Sequence, residues 1–445
     1  MKRRKEPKSL LSDRSELLLL FLALFSFRLF FGLCQSNWND YDEKQSYLTG
    51  LKFYTTGDWP YFGPDSAGSE NSSYGQIAGP LEGLVIGLPF YLLPIPEAPF
   101  LFLNLLSTAG LLFLAWYIHR RLPSLPFTWL ALWIALLPWS LYYPTHISNM
   151  SYLFFSGILF CVGFLEAMEV FKGPLVPPTW ANALMGFSIF WVMQFHLSYL
   201  FLLPLAALAL GTQCLRHRRW SALGFFALGA LVPLALVVPT YLKYGLGAAN
   251  SHSAFLMLIN WENVKALFTL LARFLSLVCF EVPAFIGAHT ADRVDFLKTH
   301  PFILLPGFFL WGAGILQALF LFLAWFKKRH PLPGWEKMRL LTLAAFVIVY
   351  VSFWFTVKPP LSHIYVVLFP LLMVYSCYAW TLLSGLPKAG LWAKAFILVG
   401  LWFQVGYALA VAPRDSMLSQ RALVQKALSE KNYHLFAERR PESLY

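Results

Sequence analysis

Apolar runs of about 20 residues recur along the whole chain, and this pattern leaves few folds open. A helix of that length crosses the ~30 Å hydrocarbon core of a bilayer. Eleven such runs stand out: Leu17–Cys34, Ala98–Ile118, Phe127–Tyr143, Ser151–Phe171, Trp180–Phe195, Leu197–Leu215, Ser221–Leu242, Phe302–Phe326, Leu340–Val357, His363–Leu383 and Leu391–Val411. Charged residues make up 13% of the 445. A soluble chain carries about 25%, so two or three soluble domains are excluded. The expected fold class is an all-α polytopic membrane protein with about eleven transmembrane helices.

The five cysteines, Cys34, Cys161, Cys214, Cys279 and Cys377, are scattered through the apolar runs with no CxxC pair. They form neither a disulfide framework nor a zinc motif and read as small buried residues. The basic start, Met1–Lys5, before Leu17–Cys34 looks superficially like a signal peptide. That run is too long for one and lacks a small-residue cleavage site, so it is expected to be the first membrane helix. Pro80–Pro94 is apolar but short, which suits an interfacial or re-entrant helix.

Basic residues fix the expected orientation. With the N-terminus cytoplasmic, that side collects 19 Lys/Arg against 6 Asp/Glu, and the outer side 14 against 16. The net charge of +12 is thus a topology signal and not a nucleic-acid-binding patch. Letting Pro80–Pro94 cross would move His119–Arg121 outside and invert every later loop. The non-membrane sequence then lies outside, as residues 35–79, 243–301 and the tail 412–445. The chain is expected to form one transmembrane domain, with its chemistry on that outer face.

The most informative segment is Asn37–Pro60. Asp42–Thr56 has the pattern of a helix, with Asp42-Glu43 in its first turn, where the positive dipole end favours carboxylates. Gly57 ends it, and Tyr47, Leu51 and Tyr54 form an apolar stripe able to lie on a membrane surface. Carboxylates directly after a membrane helix sit at the lipid–water boundary. There they can take a proton from an acceptor hydroxyl.

Asp42-Glu43, thirteen residues, then Gly57-Asp58-Trp59 resembles the first outer loop of the polyprenyl-phosphate-sugar glycosyltransferases. That family has the GT-C fold and includes protein O-mannosyltransferases and the lipid A aminoarabinose transferase. Gly79-Pro80-Leu81 is similar to its Pro-led apolar segment, and Leu105–Arg121 to its helix ending in a basic pair. Leu136–Pro144 is similar to its Pro-containing outer turn, and Lys358–Tyr365 with Pro370 to its late K-x-x-L-x-x-Y…P segment. The likeness covers Arg28–Met168 and, less fully, Lys358–Leu372; between them only hydropathy matches. The aminoarabinose branch carries Lys just before the Pro-led segment. This chain has Ala78-Gly79, so the resemblance does not imply that sugar.

The resemblance implies a sugar donor linked to polyprenyl phosphate and a glycan, lipid or protein acceptor. It makes Asp42 the catalytic carboxylate, supported by Glu43 and Asp40. A divalent ion held by these acids stays open, as does the plain reading of Asp42 as a helix cap. Arg28, inside the first span, is costly there and marks a functional site by default. It is expected to pair with the Asp42 cluster or a donor phosphate, against snorkelling to the interface. Lys358 and His363 are candidate ligands of the leaving phosphate, or interface anchors. His146, Asn149 and His196 are candidate substrate-binding residues, against a structural role. His252, Arg273, Arg293 and Lys298 could meet acceptor or carrier phosphates but read better as a solvated or headgroup-facing segment. Two rival functions remain. A transporter or lipid-linked-sugar flippase would favour internal repeats and midplane charges. An oligosaccharide polymerase or ligase would carry a long, Arg-rich late loop.

Overall fold

The computed structural model describes residues 14–36, 41–66, 75–245, 259–277, 279–287, 289–329, 332–357, 359–383, 386–413 and 416–437. The helices are α1 (Arg14–Gln35), α2 (Tyr41–Thr56), α3 (Leu81–Leu92), α4 (Ala98–Arg121), α5 (Phe127–Leu136), α6 (Pro138–Tyr142), α7 (Leu153–Ala167), α8 (Pro178–Met193), α9 (Tyr199–Gly211) and α10 (Ser221–Tyr244). They continue as α11 (Trp261–Lys265), α12 (Leu267–Leu275), α13 (Val282–Ile286), α14 (Thr290–Thr299), α15 (Leu304–Trp325), α16 (Trp335–Trp354), α17 (Phe369–Trp380), α18 (Ala389–Val411), α19 (Met417–Ser429) and α20 (His434–Ala437). Among the described residues nine helices are long and apolar enough to cross a membrane. The polytopic all-α class is therefore as expected.

Two of the eleven expected spans differ. Phe127–Tyr143 is broken into α5 and α6, and Trp180–Phe195 is the 16-residue α8, about 24 Å long. A bent pair, Leu267–Leu275 with Cys279–Ile286, turns through 111° within the long late loop. The most enclosed spans, Asn149–Ala167 and Ser362–Trp380, run through the centre of the bundle. Outer helices show lipid-type faces instead: Leu316, Leu319 and Leu323 of α15 are all exposed.

The bundle has two unlike ends. At one, the buried carboxylate of Glu166 meets Arg121, the Tyr117 hydroxyl (2.7 Å) and the Leu175 backbone N–H (3.1 Å). Lys337 donates to the Glu169 carbonyl (2.8 Å), and Arg219 pairs with Glu169 (2.6 Å). This is the end expected to be basic. At the other lie α2, α3 and the tail helices.

The apolar stripe of α2 does not face a membrane. Tyr47 and Leu51 are fully buried, Tyr47 against Phe90, Phe100 and Phe436 with its hydroxyl donating to the Pro96 carbonyl (2.8 Å). Glycine makes this packing possible. A Cβ at Gly50 would lie 2.4 Å from Ile86 Cγ2, and one at Gly87 2.7 Å from the Gly50 carbonyl oxygen. α2 and α3 therefore touch backbone to backbone. α3 is about 18 Å long, too short to cross, and it supplies the exposed apolar edge instead, through Leu88, Tyr91, Leu92 and Leu93. A two-stranded antiparallel hairpin, β1 (Phe62–Ser66) with β2 (Gly75–Ala78), joins α2 to α3. The sequence reading left this segment without strands.

The tail helix α19 closes over the same end. The Met417 backbone N–H donates to Ser36 Oγ (3.0 Å), Arg421 pairs with Glu97, and Gln425 reaches the Pro94 carbonyl (3.3 Å). Replacing Gly87 by Leu should force α2 off α3 at a cost of about 1–3 kcal/mol. Limited proteolysis should then cut the α2 region faster than in wild type, and an unchanged cleavage pattern would refute the close packing.

Candidate active site

The site begins with a proline. Leu137 precedes Pro138 and is held extended (ψ 142°), as a residue before proline prefers, so the helix breaks there. A broken helix leaves carbonyls without intrahelical donors. Other segments provide them. The fully buried Arg28 donates from Nη1 to the carbonyls of Ala135 (3.0 Å) and Ser140 (2.6 Å). Its Nη2 donates to Ser107 Oγ (3.0 Å) and the Pro144 carbonyl (3.3 Å). Asn104 donates to the Thr145 carbonyl (3.2 Å), and Gln35 to the Tyr142 carbonyl (2.6 Å) and Thr145 Oγ1 (3.0 Å). α1 comes this close because residue 32 is Gly: a Cβ there would lie 2.0 Å from the Thr145 oxygen. Among the described residues Arg28 has no ion pair with a carboxylate. Its four partners are three carbonyls and a hydroxyl, and the charge is spent on holding residues 135–144.

That turn aims His146. Its Nδ1 lies 2.6 Å from the Tyr142 carbonyl and its Nε2 lies 3.3 Å from Glu43 Oε1, with both side chains buried. Nδ1 also lies 2.8 Å from the Gln35 amide nitrogen, so the carbonyl calls for a hydrogen on Nδ1 and the amide for a lone pair. In either tautomer a contact between Nε2 and the carboxylate oxygen needs one proton between them, carried by the imidazole or the carboxyl. Asp42, one residue earlier, is exposed in the first turn of α2. One turn further along α2, Ser46 donates to the fully buried Glu82 (2.6 Å), which sits in the first turn of α3.

Aromatic rings connect this pair to the late segment. Tyr142 lies 5.0 Å and Tyr143 6.0 Å from His146, centroid to centroid, and Tyr143 lies 6.1 Å from His363. Glu43, His146 and His363 are far apart in sequence and sit together at the α2 end. Asn149 is buried where a 3-10 turn, Asn149–Tyr152, leads into α7. His196 closes the α8–α9 turn, its Nδ1 accepting from the Ser198 N–H (3.1 Å). Asp40, Lys358 and His252 lie outside the described residues. Among the described residues no three His, Cys, Asp or Glu side chains come together as a metal-ligand set.

One charged group of the site, Glu82, was missed from sequence, and another, Arg273, has a different partner from the one expected. Glu82 follows the Gly79-Pro80-Leu81 motif directly, so its place in the motif was the available signal. Arg273 pairs with the buried Glu281 and donates to the Pro360 carbonyl (2.8 Å), which braces the approach to His363. Burial pushes the Glu281 carboxyl above its ordinary value, and Arg273 and Ser362 pull it part of the way back. Arg273 therefore faces a carboxylate and not the headgroup layer. Arg293 donates to the Gly287 carbonyl (2.8 Å), and Lys298 pairs with Asp295 (3.3 Å) on the exposed face of α14.

No family model and no curated protein matches the chain. Two crystal structures of ArnT from Cupriavidus metallidurans are similar to it. The structure bound to undecaprenyl phosphate aligns over 94% of this chain and 78% of that one, at 15% identity and a TM-score of 0.49. The apo structure aligns over 95% and 78%, at 14% identity and a TM-score of 0.50. On the apo alignment, this chain shares the polytopic all-α fold of ArnT, the fold expected from the GT-C resemblance.

Proposed function

We propose that the protein is a membrane glycosyltransferase that moves a sugar from a polyprenyl-phosphate-linked donor to a hydroxyl of a glycan, lipid or protein. The observation that carries this reading is the convergence of Asp42-Glu43, His146 and His363 at one end of an ArnT-like bundle. The donor class comes from the sequence resemblance. The excess of Lys/Arg at the opposite end supports an outer-face site, with the N-terminus cytoplasmic in an inner or plasma membrane.

Asp42 takes the acceptor proton as the acceptor oxygen bonds to the anomeric carbon. The bond from that carbon to the phosphate oxygen breaks, and polyprenyl phosphate leaves with the electron pair. His363, before α17, and Lys358, five residues earlier in sequence, stabilise the charge on the leaving phosphate. His146 and Asn149 line the acceptor side, and His196 lines the donor side. Arg28 acts as a positioning residue: it fixes the turn that carries His146. The Glu43–His146 pair stands behind Asp42 as the next proton holder. A divalent ion at the acidic cluster would add positive charge to the same site.

The test is a panel of radiolabelled polyprenyl-phosphate sugars offered to the purified protein in liposomes with envelope extract. Wild type should consume one donor. Asp42→Asn should consume it at least about 100-fold more slowly, roughly 2.7 kcal/mol of barrier. If no donor is consumed but labelled lipid crosses the bilayer, the protein is a flippase and this reading fails.

A further inference from the structure

Far from Glu43, a membrane-facing cleft of about 400 Å³ lies between α12, α15 and α16. That volume is within the roughly 300–1,000 Å³ range of ligand pockets. Leu267, Leu271, Phe322, Leu343 and Phe346 are among its apolar walls. Arg339 is the one charged residue lining it, with Nη1 donating to the Trp325 carbonyl (2.8 Å). Arg339 Nε and Trp325 Nε1 are both buried donors with no hydrogen-bond partner. Phe326, also in the lining, runs directly into the exposed Lys327, Lys328 and Arg329. From Phe326 to Leu340 there are five Lys/Arg against one acid, Glu336.

We propose that this cleft seats one anionic phospholipid of the bilayer, an acyl chain along the apolar wall and the phosphate at Arg339 with Lys327 and Lys328. An apolar cleft in a bilayer takes up a lipid chain readily, and the rim then selects the headgroup. A zwitterionic headgroup brings its own cation against five others. An anionic one complements them, and its phosphate oxygens are acceptors for the two orphaned donors. This lipid site is separate from the sugar-transfer end and does not depend on the transferase reading.

The experiment is native mass spectrometry of the full chain released from nanodiscs of equal phosphatidylglycerol and phosphatidylcholine. Wild type should retain phosphatidylglycerol in preference. Arg339→Gln should lower that preference about fivefold, the effect of one basic residue near a membrane surface. Leu343→Trp, on the exposed wall and outside the core, should fill the cleft and lose both lipids. Equal retention of the two lipids by wild type would overturn the proposal, as would a phosphatidylglycerol preference that survives both substitutions. Displacement of phosphatidylglycerol by polyprenyl phosphate with the same Arg339 dependence would overturn the assignment to a bilayer phospholipid.

Discussion

Arg28→Met should destabilise the protein by about 2–4 kcal/mol, seen as a lower unfolding midpoint in detergent. Two terms oppose each other. Removing a buried charge relieves its desolvation, and such replacements can be neutral or stabilising when the charge has a well-packed substitute. Here the guanidinium also satisfies the carbonyls of Ala135, Ser140 and Pro144 in a segment whose helix breaks at Pro138. Each orphaned buried acceptor costs about 1–3 kcal/mol, so with three acceptors the loss wins. Arg28→Lys should recover only part of it, because an ammonium lacks the planar fork that reaches both sides of the break. An unchanged midpoint for Arg28→Met would show that residues 135–144 hold without the clamp, and the positioning role would be lost.

Glu43→Gln should slow donor consumption about 100-fold while leaving the unfolding midpoint within a few degrees. The amide keeps the size of the carboxylate and can still donate to His146 Nε2, but it cannot accept a proton. Proton transfer by a positioned side chain contributes typically 10²–10⁴-fold, and this substitution removes the group proposed to relay it onward from Asp42. His146→Ala is the contrasting case. It leaves Glu43 buried without its imidazole, and breaking a buried pair costs about 3–5 kcal/mol, so stability should fall as well. If Glu43→Gln turns over within threefold of wild type, the pair is structural and Asp42 works alone.

Much of the fold was legible in the sequence, because length and hydropathy fix which segments can cross a bilayer. The two spans that are shorter or broken have local causes. Pro138 interrupts one, and the other stops at the Gln194–Ser198 turn after 16 residues. The stripe of α2 was misplaced because periodicity reveals an apolar face but not its partner. Gly50, Gly83 and Gly87 were the available clue to a close helix–helix contact. Arg28 was rightly singled out by its depth. Its partners were not foreseeable, since three of the four are backbone carbonyls more than 100 residues away. Asp42 and Glu43 were found as neighbours in a motif, but only the fold brings His146 to one of them and leaves the other exposed.

The clamp also sets a schedule for making the protein. Arg28 enters the membrane with α1, while Ala135, Ser140 and Pro144 are 107 to 116 residues downstream. At a synthesis rate of about 5–20 residues per second, the wait is on the order of 5–20 s. Throughout that interval the nascent chain carries a cation that α1 alone cannot solvate in lipid. The first helix is therefore expected to linger beside the insertion machinery until α5 and α6 emerge. A later contact, Met417 to Ser36, spans 381 residues, so the α2 end closes long after the clamp does.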